Sequence, residues 1–591
     1  MNRIERRRPG FTADLLVRVL CVWLGVAAIF VVTKWGAIQG MVLPDPDDTL
    51  RMVQVRDLLA GQSWWDLHQY RIAPPQGMLM HWSRLVDAPL WAVQLLLRPM
   101  LGASLAEQVA MVFVPLLTLG CAMLMAARLA WRVIDTPTMY YTCVLLALAS
   151  PVTAQLQPLR IDHHGWQIVA VLAAINGLTA RSNRTAGWLA GLAIAAGLTI
   201  SLELLPVAAL IGAVLVLRAL YDPAERIAPA AFLQALALAG LGLFFLSHGL
   251  ADLANHCDSL SPAWLGALVV AAMGATGIAA MPRLPRYGLL LAYGGVGALC
   301  LATLLALAPE CARGPFAALD PLVRSYWYNN VYEGMPVWYQ KSYSAVQMLV
   351  PPALGLWAAL RLRGQNVGWL QRFWSEYALI LGGLIVLSVL VARSAAFSCA
   401  LGVVPLAWQV RAWHLRAHRL EHPLRRIGMI LAIAALVMPG VPLLGLSKLL
   451  ARSGPPAAQT AAEQVCNLPL AAATLGRLPQ GTVFTQIDLG PQLISLTGHR
   501  VVATAHHRAP LAMHDLIAAS IAAPADARPL LARYDARYVL VCPGLVEVGN
   551  YRLNAPQGFV PQLADGKAPD WLKPLPLPPE SGLKLWKITQ P

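Results

Sequence analysis

The sequence predicts a mainly α-helical, polytopic membrane protein of about thirteen transmembrane helices, followed by a small extracytoplasmic α/β domain. Three observations lead to this fold class. Of the 591 residues, 57% are hydrophobic and only 13% are charged, whereas soluble proteins have about 25% charged residues. Apolar stretches of membrane-spanning length recur up to residue 450. Beyond that point apolar residues alternate with polar ones in short stretches, which favours strands.

The predicted spans follow from the hydrocarbon thickness that a helix must cross, about 30 Å or about 20 residues. The first, residues 15–32, follows MNRIERRR without a small-residue cleavage site, so we expect a retained span rather than a signal peptide. The spans are centred near residues 24, 117, 147, 174, 194, 212, 239, 272, 298, 352, 384, 403 and 436.

Basic residues set the predicted orientation. They concentrate in alternate short loops, such as RIERRR, RSNR, PRLPR and RAWHLRAHRLEHPLRR, which the positive-inside rule places in the cytoplasm. These loops also carry much of the net charge of +15. Because the sequence has no basic stripe interleaved with aromatic residues, nucleic-acid binding is not expected. We expect a multi-pass protein of the bacterial cell inner membrane, with a cytoplasmic N-terminus.

Two domains are predicted: a multi-spanning domain over residues 1–450 and a periplasmic α/β domain over residues 451–591. In the second, TVFTQI and RYVLVC predict strands, and the proline-rich last thirty residues predict extended coil. Four cysteines lie in segments expected outside the cytoplasm, where disulfides can form, and their pairing stays open: Cys257, Cys311, Cys466 and Cys542. The other five lie in apolar runs and are expected to pack.

The first predicted external loop, residues 36–88, contains the stretch PDPDDTLR. Three carboxylates, Asp45, Asp47 and Asp48, stand here next to an apolar span, where burying charge is expensive. They fit an ion site. They fit equally well a solvated turn that caps the next helix through Asp47 or Asp48.

Two further external loops carry acidic residues. LRIDHHGWQIV, in the loop 156–166, contains Asp162, His163 and His164, and the loop 309–342 contains Glu333 among several aromatic rings. Carboxylates and imidazoles suit Mn²⁺, and oxygen-rich sets also suit Mg²⁺. The histidines alone also fit interfacial packing, and the rings fit an interfacial belt. Acidic loops on one membrane face predict a divalent cation with positions left for phosphate oxygens.

A cationic partner for such phosphates is expected. Arg393, in LVARSAAFSC near the predicted outer end of a span, is a candidate because a lone arginine there is otherwise costly. Snorkelling of its side chain to the interface is the alternative.

At these residues the sequence resembles the GT-C superfamily of membrane glycosyltransferases, and most closely the catalytic subunit of oligosaccharyltransferases. DPDDTLR resembles Asp-Pro-x-x-x-x-Arg, IDHHG resembles Asp-x-Glu/Asp-Gly, and NVYEGMP resembles Ser-Val-Ser-Glu-x-x-Pro. The resemblance implies that Asp45 is a catalytic carboxylate and that Arg393 binds the lipid-linked diphosphate. The implied ligands of Mn²⁺ or Mg²⁺ are Asp45, Asp162, His164 and Glu333.

The resemblance continues into the C-terminal domain with one departure. QIDLGPQLISLTGHRVVA is similar to a family segment that begins Trp-Trp-Asp-Tyr-Gly, and it keeps Asp488, Gly490 and Arg500. Gln486 and Ile487 replace the two tryptophans, which help the family bind a protein acceptor. The acceptor is therefore open between a glycan, a lipid and a protein.

The expected function is transfer of a sugar from a polyprenyl phosphate or diphosphate to an extracytoplasmic acceptor, with Asp45, Asp48, Asp162 and Glu333 as catalytic residues. The oligomeric state is open. The rival is a transporter or flippase of lipid-linked sugars, for which Glu203 in TISLELLP would be the ionisable group within a span.

Overall fold

The computed structural model describes residues 11–281, 284–453 and 466–589. The basic segment RIERRR and part of PRLPR, which support the predicted orientation, lie outside the described residues. The chain forms two compact units. The helical unit comprises Met1–Val42, Ser83–Ala312 and Tyr332–Ala451, and the mixed unit comprises Leu43–Trp82, Arg313–Val331 and Arg452–Pro591.

The described α-helices, in chain order, are α1 (Ala13–Thr33), α2 (Trp35–Gln39), α3 (Pro46–Leu59), α4 (Arg84–Val133), α5 (Thr136–Leu148), α6 (Ser150–Thr153), α7 (His164–Gly177), α8 (Asn183–Ile200), α9 (Leu205–Tyr221), α10 (Ile227–His248), α11 (Pro262–Ala279), α12 (Arg286–Leu307), α13 (Pro321–Tyr326), α14 (Ser342–Gln365), α15 (Gly368–Leu390), α16 (Ala395–His418), α17 (Pro423–Val437), α18 (Gly440–Ser453), α19 (Leu468–Gly476), α20 (Gly490–Leu496), α21 (Pro510–Ile521), α22 (Pro524–Ala532), α23 (Val546–Asn554) and α24 (Phe559–Ala564). The strands are β1 (His68–Gln69), β2 (Met78–Leu79), β3 (Thr482–Phe484), β4 (Arg500–Val501), β5 (Ala536–Val541), β6 (Leu572–Leu575) and β7 (Lys584–Ile588).

The helical unit is a bundle whose helices approach closely where small residues face a neighbour. On α8, Gly187 and Gly191 lie one turn apart and face α10. A Cβ atom at these positions would lie 2.3 Å from the carbonyl oxygen of Ala228 and 2.4 Å from that of Phe232. Glycine at this four-residue spacing is typical of close helix packing in membranes.

The predicted fold class is confirmed, and every stretch predicted to span is helical among the described residues. Nine helices there are long and apolar enough to cross a membrane, or ten if α17 and α18, which meet at 95°, count as one span. The predicted thirteen is larger because α5 and α7 have only 13 and 14 residues, or about 20 Å of helix. In α8, Asn183 and Arg184 lower the hydropathy. The chain is a multi-pass membrane protein.

The mixed unit is built on a five-stranded sheet in the order β4-β3-β5-β7-β6. Strand β3 runs parallel to its two neighbours, β4 and β5. Strand β7 runs antiparallel to its two neighbours, β5 and β6. The strands predicted in TVFTQI and RYVLVC are present as β3 and β5. The prediction of extended coil at the C-terminus is wrong, because β6 and β7 pair there. Pro574 is accommodated because β6 is an edge strand.

Part of the loop 36–88, predicted to be external, pairs with this sheet. The amide of Val501 in β4 donates to the carbonyl oxygen of Arg71 at 2.8 Å, and the amide of Ala73 donates to that of Val501 at 3.1 Å. Residues of this loop and of the C-terminal segment share one apolar core. The loop therefore folds as part of the mixed unit.

Two disulfides resolve the open cysteine pairing. Cys257 is bonded to Cys311, and Cys466 is bonded to Cys542. The five cysteines predicted to pack in apolar runs are free thiols. The cysteines expected outside the cytoplasm are thus the ones that are oxidised.

Candidate active site

The turn before α7 places a buried carboxylate beside two imidazoles. Asp162 Oδ1 lies 2.6 Å from His163 Nδ1, and Asp162 Oδ2 lies 3.4 Å from His164 Nε2. All three residues are buried. Each offers one possible ligand atom, and these three atoms lie within 4.8 Å of one another. A carboxylate with two imidazoles is a donor set suited to a borderline divalent cation such as Mn²⁺, so these residues fit the predicted ion.

The start of α7 orients the second histidine. His164 Nδ1 lies 3.1 Å from the side-chain oxygen of Gln167, one turn along the same helix. The same Nδ1 atom lies 3.6 Å from Glu203 Oε2. A ring nitrogen held by an outer partner is typical of histidine ligands, because the partner fixes the ring orientation.

Arg393 lies in the 3-10 turn Ala392–Ser394 between α15 and α16. Its Nη1 atom is 2.9 Å from Glu203 Oε1 and 3.6 Å from Glu333 Oε1. The amide of Ala392 donates to the carbonyl oxygen of Met335 at 2.9 Å. This backbone bond fixes the segment that carries Glu333 next to the turn that carries Arg393.

These contacts form one group, called here the site cluster: Arg160, Asp162, His163, His164, Glu203, Glu333 and Arg393. Burial disfavours the charged form of Asp162. His163, His164 and Arg160 outweigh that effect and hold the pKa of Asp162 well below its ordinary value. The carboxylate is therefore an anion and can accept a cation.

The two carboxylates predicted from the first loop lie in the mixed unit. Asp45 is the N-cap of α3, and its Oδ1 atom accepts the amide of Asp47 at 2.9 Å. The capping alternative is therefore realised, although by Asp45 and not by Asp47 or Asp48. Asp48 is fully buried. The predicted metal and catalytic roles of Asp45 and Asp48 stay predictions.

A second acidic group surrounds this cap. Asp47 Oδ1 lies 3.1 Å from Nε2 of the buried His506, whose Nδ1 atom is 2.8 Å from the Thr504 hydroxyl. Asp488 is an exposed residue with protein on several sides of its carboxyl. This partial desolvation and the nearby Asp45 and Asp47 raise the pKa of Asp488, and His506 opposes them.

Comparison with known proteins supports the fold assignment. No family model matches the chain, and no curated protein matches it. The solved structure of the oligosaccharyltransferase AglB from Archaeoglobus fulgidus, in complex with an inhibitory peptide and a dolichol-phosphate, is 15% identical and superposes with a TM-score of 0.64 over 95% of this chain and 73% of that chain. The chain has a GT-C-type fold. The same archaeal enzyme in complex with Zn and sulfate is 14% identical, with a TM-score of 0.59 over 93% of this chain and 71% of that chain.

The departure from the GT-C pattern in the C-terminal segment has a structural basis. Gln486 and Ile487 are both buried. The side-chain oxygen of Gln486 accepts the amide of Cys542 at 3.2 Å, and the amide of Ile487 donates to Glu547 at 3.0 Å. Both residues are therefore used within the mixed unit instead of presenting rings to an acceptor.

Three members of the two acidic groups were missed as site residues by sequence reasoning. Glu203 was considered only for a transporter, although a carboxylate inside an apolar run is itself a signal of function. Asp47 and His506 lie 459 residues apart in the chain, and nothing local in the sequence connects them.

Proposed function

We propose that the protein is a glycosyltransferase that moves a sugar or oligosaccharide from a polyprenyl phosphate or diphosphate to an extracytoplasmic glycan, lipid or protein. The observation that carries this proposal is the site cluster, in which a carboxylate with two imidazoles is connected through Glu203 to Arg393. Cation ligands next to an arginine are the groups that stabilise a departing phosphate.

The proposed donor is held at its phosphate by Arg393. A guanidinium offers paired donors that match phosphate oxygens, and the surrounding apolar helices would accommodate a hydrocarbon chain. The dolichol-phosphate in the structure of the similar archaeal enzyme supports a lipid-linked donor for this chain.

The proposed cation is Mn²⁺ or Mg²⁺, bound by Asp162 and His164 with Asp45 and Glu333 as further ligands. When bound, it supplies positive charge that stabilises the leaving phosphate. The two buried imidazoles favour Mn²⁺. The alternative is that a protonated His164 supplies this charge itself.

The proposed base is Asp45. One of its oxygens accepts the Asp47 amide, which holds the carboxylate at the start of α3, and a carboxylate held in this way can orient or deprotonate the attacking group of the acceptor. Asp48 is less suited to this role because its side chain is fully buried. Asp48 would instead support the loop that presents Asp45.

The proposed location is the bacterial inner membrane, with residues 451–591 in the periplasm. The disulfides Cys257–Cys311 and Cys466–Cys542 support an oxidising compartment for the segments that carry them. One observation supports the alternative function of a transporter, namely that Glu203 lies in the span Leu202–Tyr221. Its ion pair with Arg393 at 2.9 Å favours a role in the site cluster.

The test uses purified protein and lipid-linked sugars extracted from the host membrane. Consumption of the donor is followed with and without Mn²⁺ for the wild type, Asp45→Ala and the control Asp14→Ala, which removes an exposed carboxylate paired with Arg18. We expect metal-dependent turnover that only Asp45→Ala abolishes. Equal turnover in Asp45→Ala would limit Asp45 to capping α3. No turnover, together with scrambling of lipid-linked sugar in liposomes, would establish the flippase.

A further inference from the structure

We propose that Glu203 couples the binding of a divalent cation to the binding of a phosphate group. This inference rests on the proposed function and assigns a role to a residue outside the family motifs. It starts from the position of one carboxylate. Oε2 of Glu203 lies 3.6 Å from His164 Nδ1, and Oε1 lies 2.9 Å from Arg393 Nη1. Glu203 therefore joins the proposed cation ligands to the proposed phosphate-binding arginine.

The positive charge of Arg393 is compensated in this arrangement. Glu203 and Glu333 both lie within 3.6 Å of its Nη1 atom. A phosphate that approaches Arg393 meets two carboxylates of its own sign, which oppose its binding. Arg393 can accept the phosphate fully only when another positive charge compensates these carboxylates.

A cation at Asp162 and His164 would supply that charge. Because Glu203 already lies next to His164, the cation attracts its carboxylate and weakens its hold on Arg393. The released guanidinium then binds the phosphate. Phosphate binding in turn releases Glu203 toward the cation, so that each ligand strengthens the binding of the other. Such coupling is reciprocal and typically amounts to about 5- to 150-fold in affinity.

A purely structural interpretation gives a different expectation. Under it, Glu203 and Arg393 form only an interhelical ion pair, as Asp135 and Arg411 do elsewhere in the same unit. The two pairs match closely in exposure, with side chains 26% and 24% exposed in the first and 30% and 27% in the second. Asp135→Asn is therefore a control for Glu203→Gln.

The experiment measures the dissociation constant of Mn²⁺ from the full-length protein by the electron paramagnetic resonance signal of free Mn²⁺. Titrations are done with and without farnesyl phosphate, and a protein-free series corrects for Mn²⁺ bound by the probe. We expect farnesyl phosphate to tighten Mn²⁺ binding at least about tenfold in the wild type and in Asp135→Asn. In Glu203→Gln we expect less than about threefold coupling and tighter binding of farnesyl phosphate without Mn²⁺.

Two results would overturn the inference: no coupling in the wild type, or undiminished coupling in Glu203→Gln. Equal coupling with inorganic phosphate would support the role of Glu203 and assign the phosphate to solution rather than to a lipid. Sugar transfer without coupling would overturn this inference alone. Coupling without transfer from any lipid-linked sugar would overturn the proposed function and leave the inference standing.

Discussion

Two groups of charged residues, each only partly buried, lie at opposite ends of the same pair of helices and differ in construction. α9 has Glu203 just before its start and Arg218 in its last turn, and α15 has Glu376 in its first half and Arg393 just after its end. Arg218 pairs with Glu376 at 3.3 Å, and Arg393 pairs with Glu203 at 2.9 Å. Each helix thus contributes a glutamate to one group and an arginine to the other.

The distal cluster, comprising Arg218, Glu225, Arg372 and Glu376, contains only arginines and carboxylates. Arg218 and Arg372 lie 2.8 and 2.9 Å from Glu225. The site cluster adds two imidazoles, and several of its contacts are longer, between 3.4 and 3.8 Å. Buried charge therefore does not identify a site by itself. The proposed site rests instead on imidazoles mixed with carboxylates, because together they form a donor set for a divalent cation.

The largest expected effect is that of Asp162→Asn in the site cluster. The substitution keeps the volume of the side chain but removes the anion that would hold the cation, so we expect kcat/KM for sugar transfer to fall by about 10³-fold. The Tm in detergent should fall as well, because Arg160 and the two histidines lose their anionic partner, so transfer is compared per folded molecule. Wild-type transfer in this variant would show that the site cluster resembles the distal one in being structural.

Next in size is the effect of Arg393→Gln on donor binding. The variant removes the charge that would face the phosphate, and we expect KM for the lipid-linked donor to rise by about 30- to 100-fold, as when one partner of a buried charge pair is truncated. Arg411→Gln, which removes the partner of Asp135, is the matched control. A similar rise in both variants would point to a general loss of structure.

Substitutions in the distal cluster should lower the stability of the protein and leave the rate of sugar transfer unchanged. Glu376→Gln leaves Arg218, which is 8% exposed, with Glu225 at 2.8 Å as its remaining carboxylate, so we expect only part of the about 3 kcal/mol that breaking a buried pair costs. We expect a lower Tm in detergent with unchanged transfer per folded molecule. The double variant Arg218→Gln/Glu376→Gln should lower the Tm further, because it also removes the pair between Arg218 and Glu225 at 2.8 Å. Reduced transfer at an unchanged Tm would contradict the assignment.

The most gradual effect, spread over several pH units, concerns Glu547, a half-buried acid of the mixed unit that accepts hydrogen bonds from the amide of Ile487 and the hydroxyl of Tyr551. Burial and the nearby Asp488 raise the pKa of Glu547 to about 8 from 4.5, and a hydrogen bond from Tyr551 opposes them. Between these pH values the folded unit holds a proton that the unfolded chain releases, so the free energy of unfolding falls as pH rises, by at most about 1.4 kcal/mol per unit.

Glu547→Gln should remove this pH dependence. We expect the variant to be more stable than the wild type at pH 8 and similar to it at pH 4.5. Hydrogen exchange of the β5 amides, corrected for the intrinsic rate, measures the difference. An unchanged slope between the two pH values would show that Glu547 is ionised in the folded unit.

Much of the fold could be predicted from the sequence because hydropathy and alternation are local properties. These patterns predicted the helices and the strands β3 and β5. The predicted side of the membrane distinguished the cysteines that form disulfides from the free ones. Among the described residues, the length criterion gives fewer spans than the thirteen predicted, because apolar length alone does not show that a turn ends α5 at Leu148. The strands β6 and β7 were missed because prolines between them resemble coil.

The site was predictable only in part, since its assembly depends on distant pairing. The structure brings together Asp162, His164, Glu333 and Arg393, as their loops predicted, and their roles stay proposals. Glu203 was not assigned to them because its contacts with His164 and Arg393 span 39 and 190 residues of chain. Asp45 proved to cap a helix, a role that the sequence analysis gave to Asp47 or Asp48.

The central claim is that the site cluster binds a cation and the phosphate of a lipid donor at one place. The most direct measurement is the ³¹P hyperfine coupling to Mn²⁺ bound by the full-length protein in the presence of farnesyl phosphate. We predict a resolved coupling in the wild type that disappears in Asp162→Asn. Bound Mn²⁺ without ³¹P coupling in the wild type, or the same coupling in Asp162→Asn, would contradict the claim.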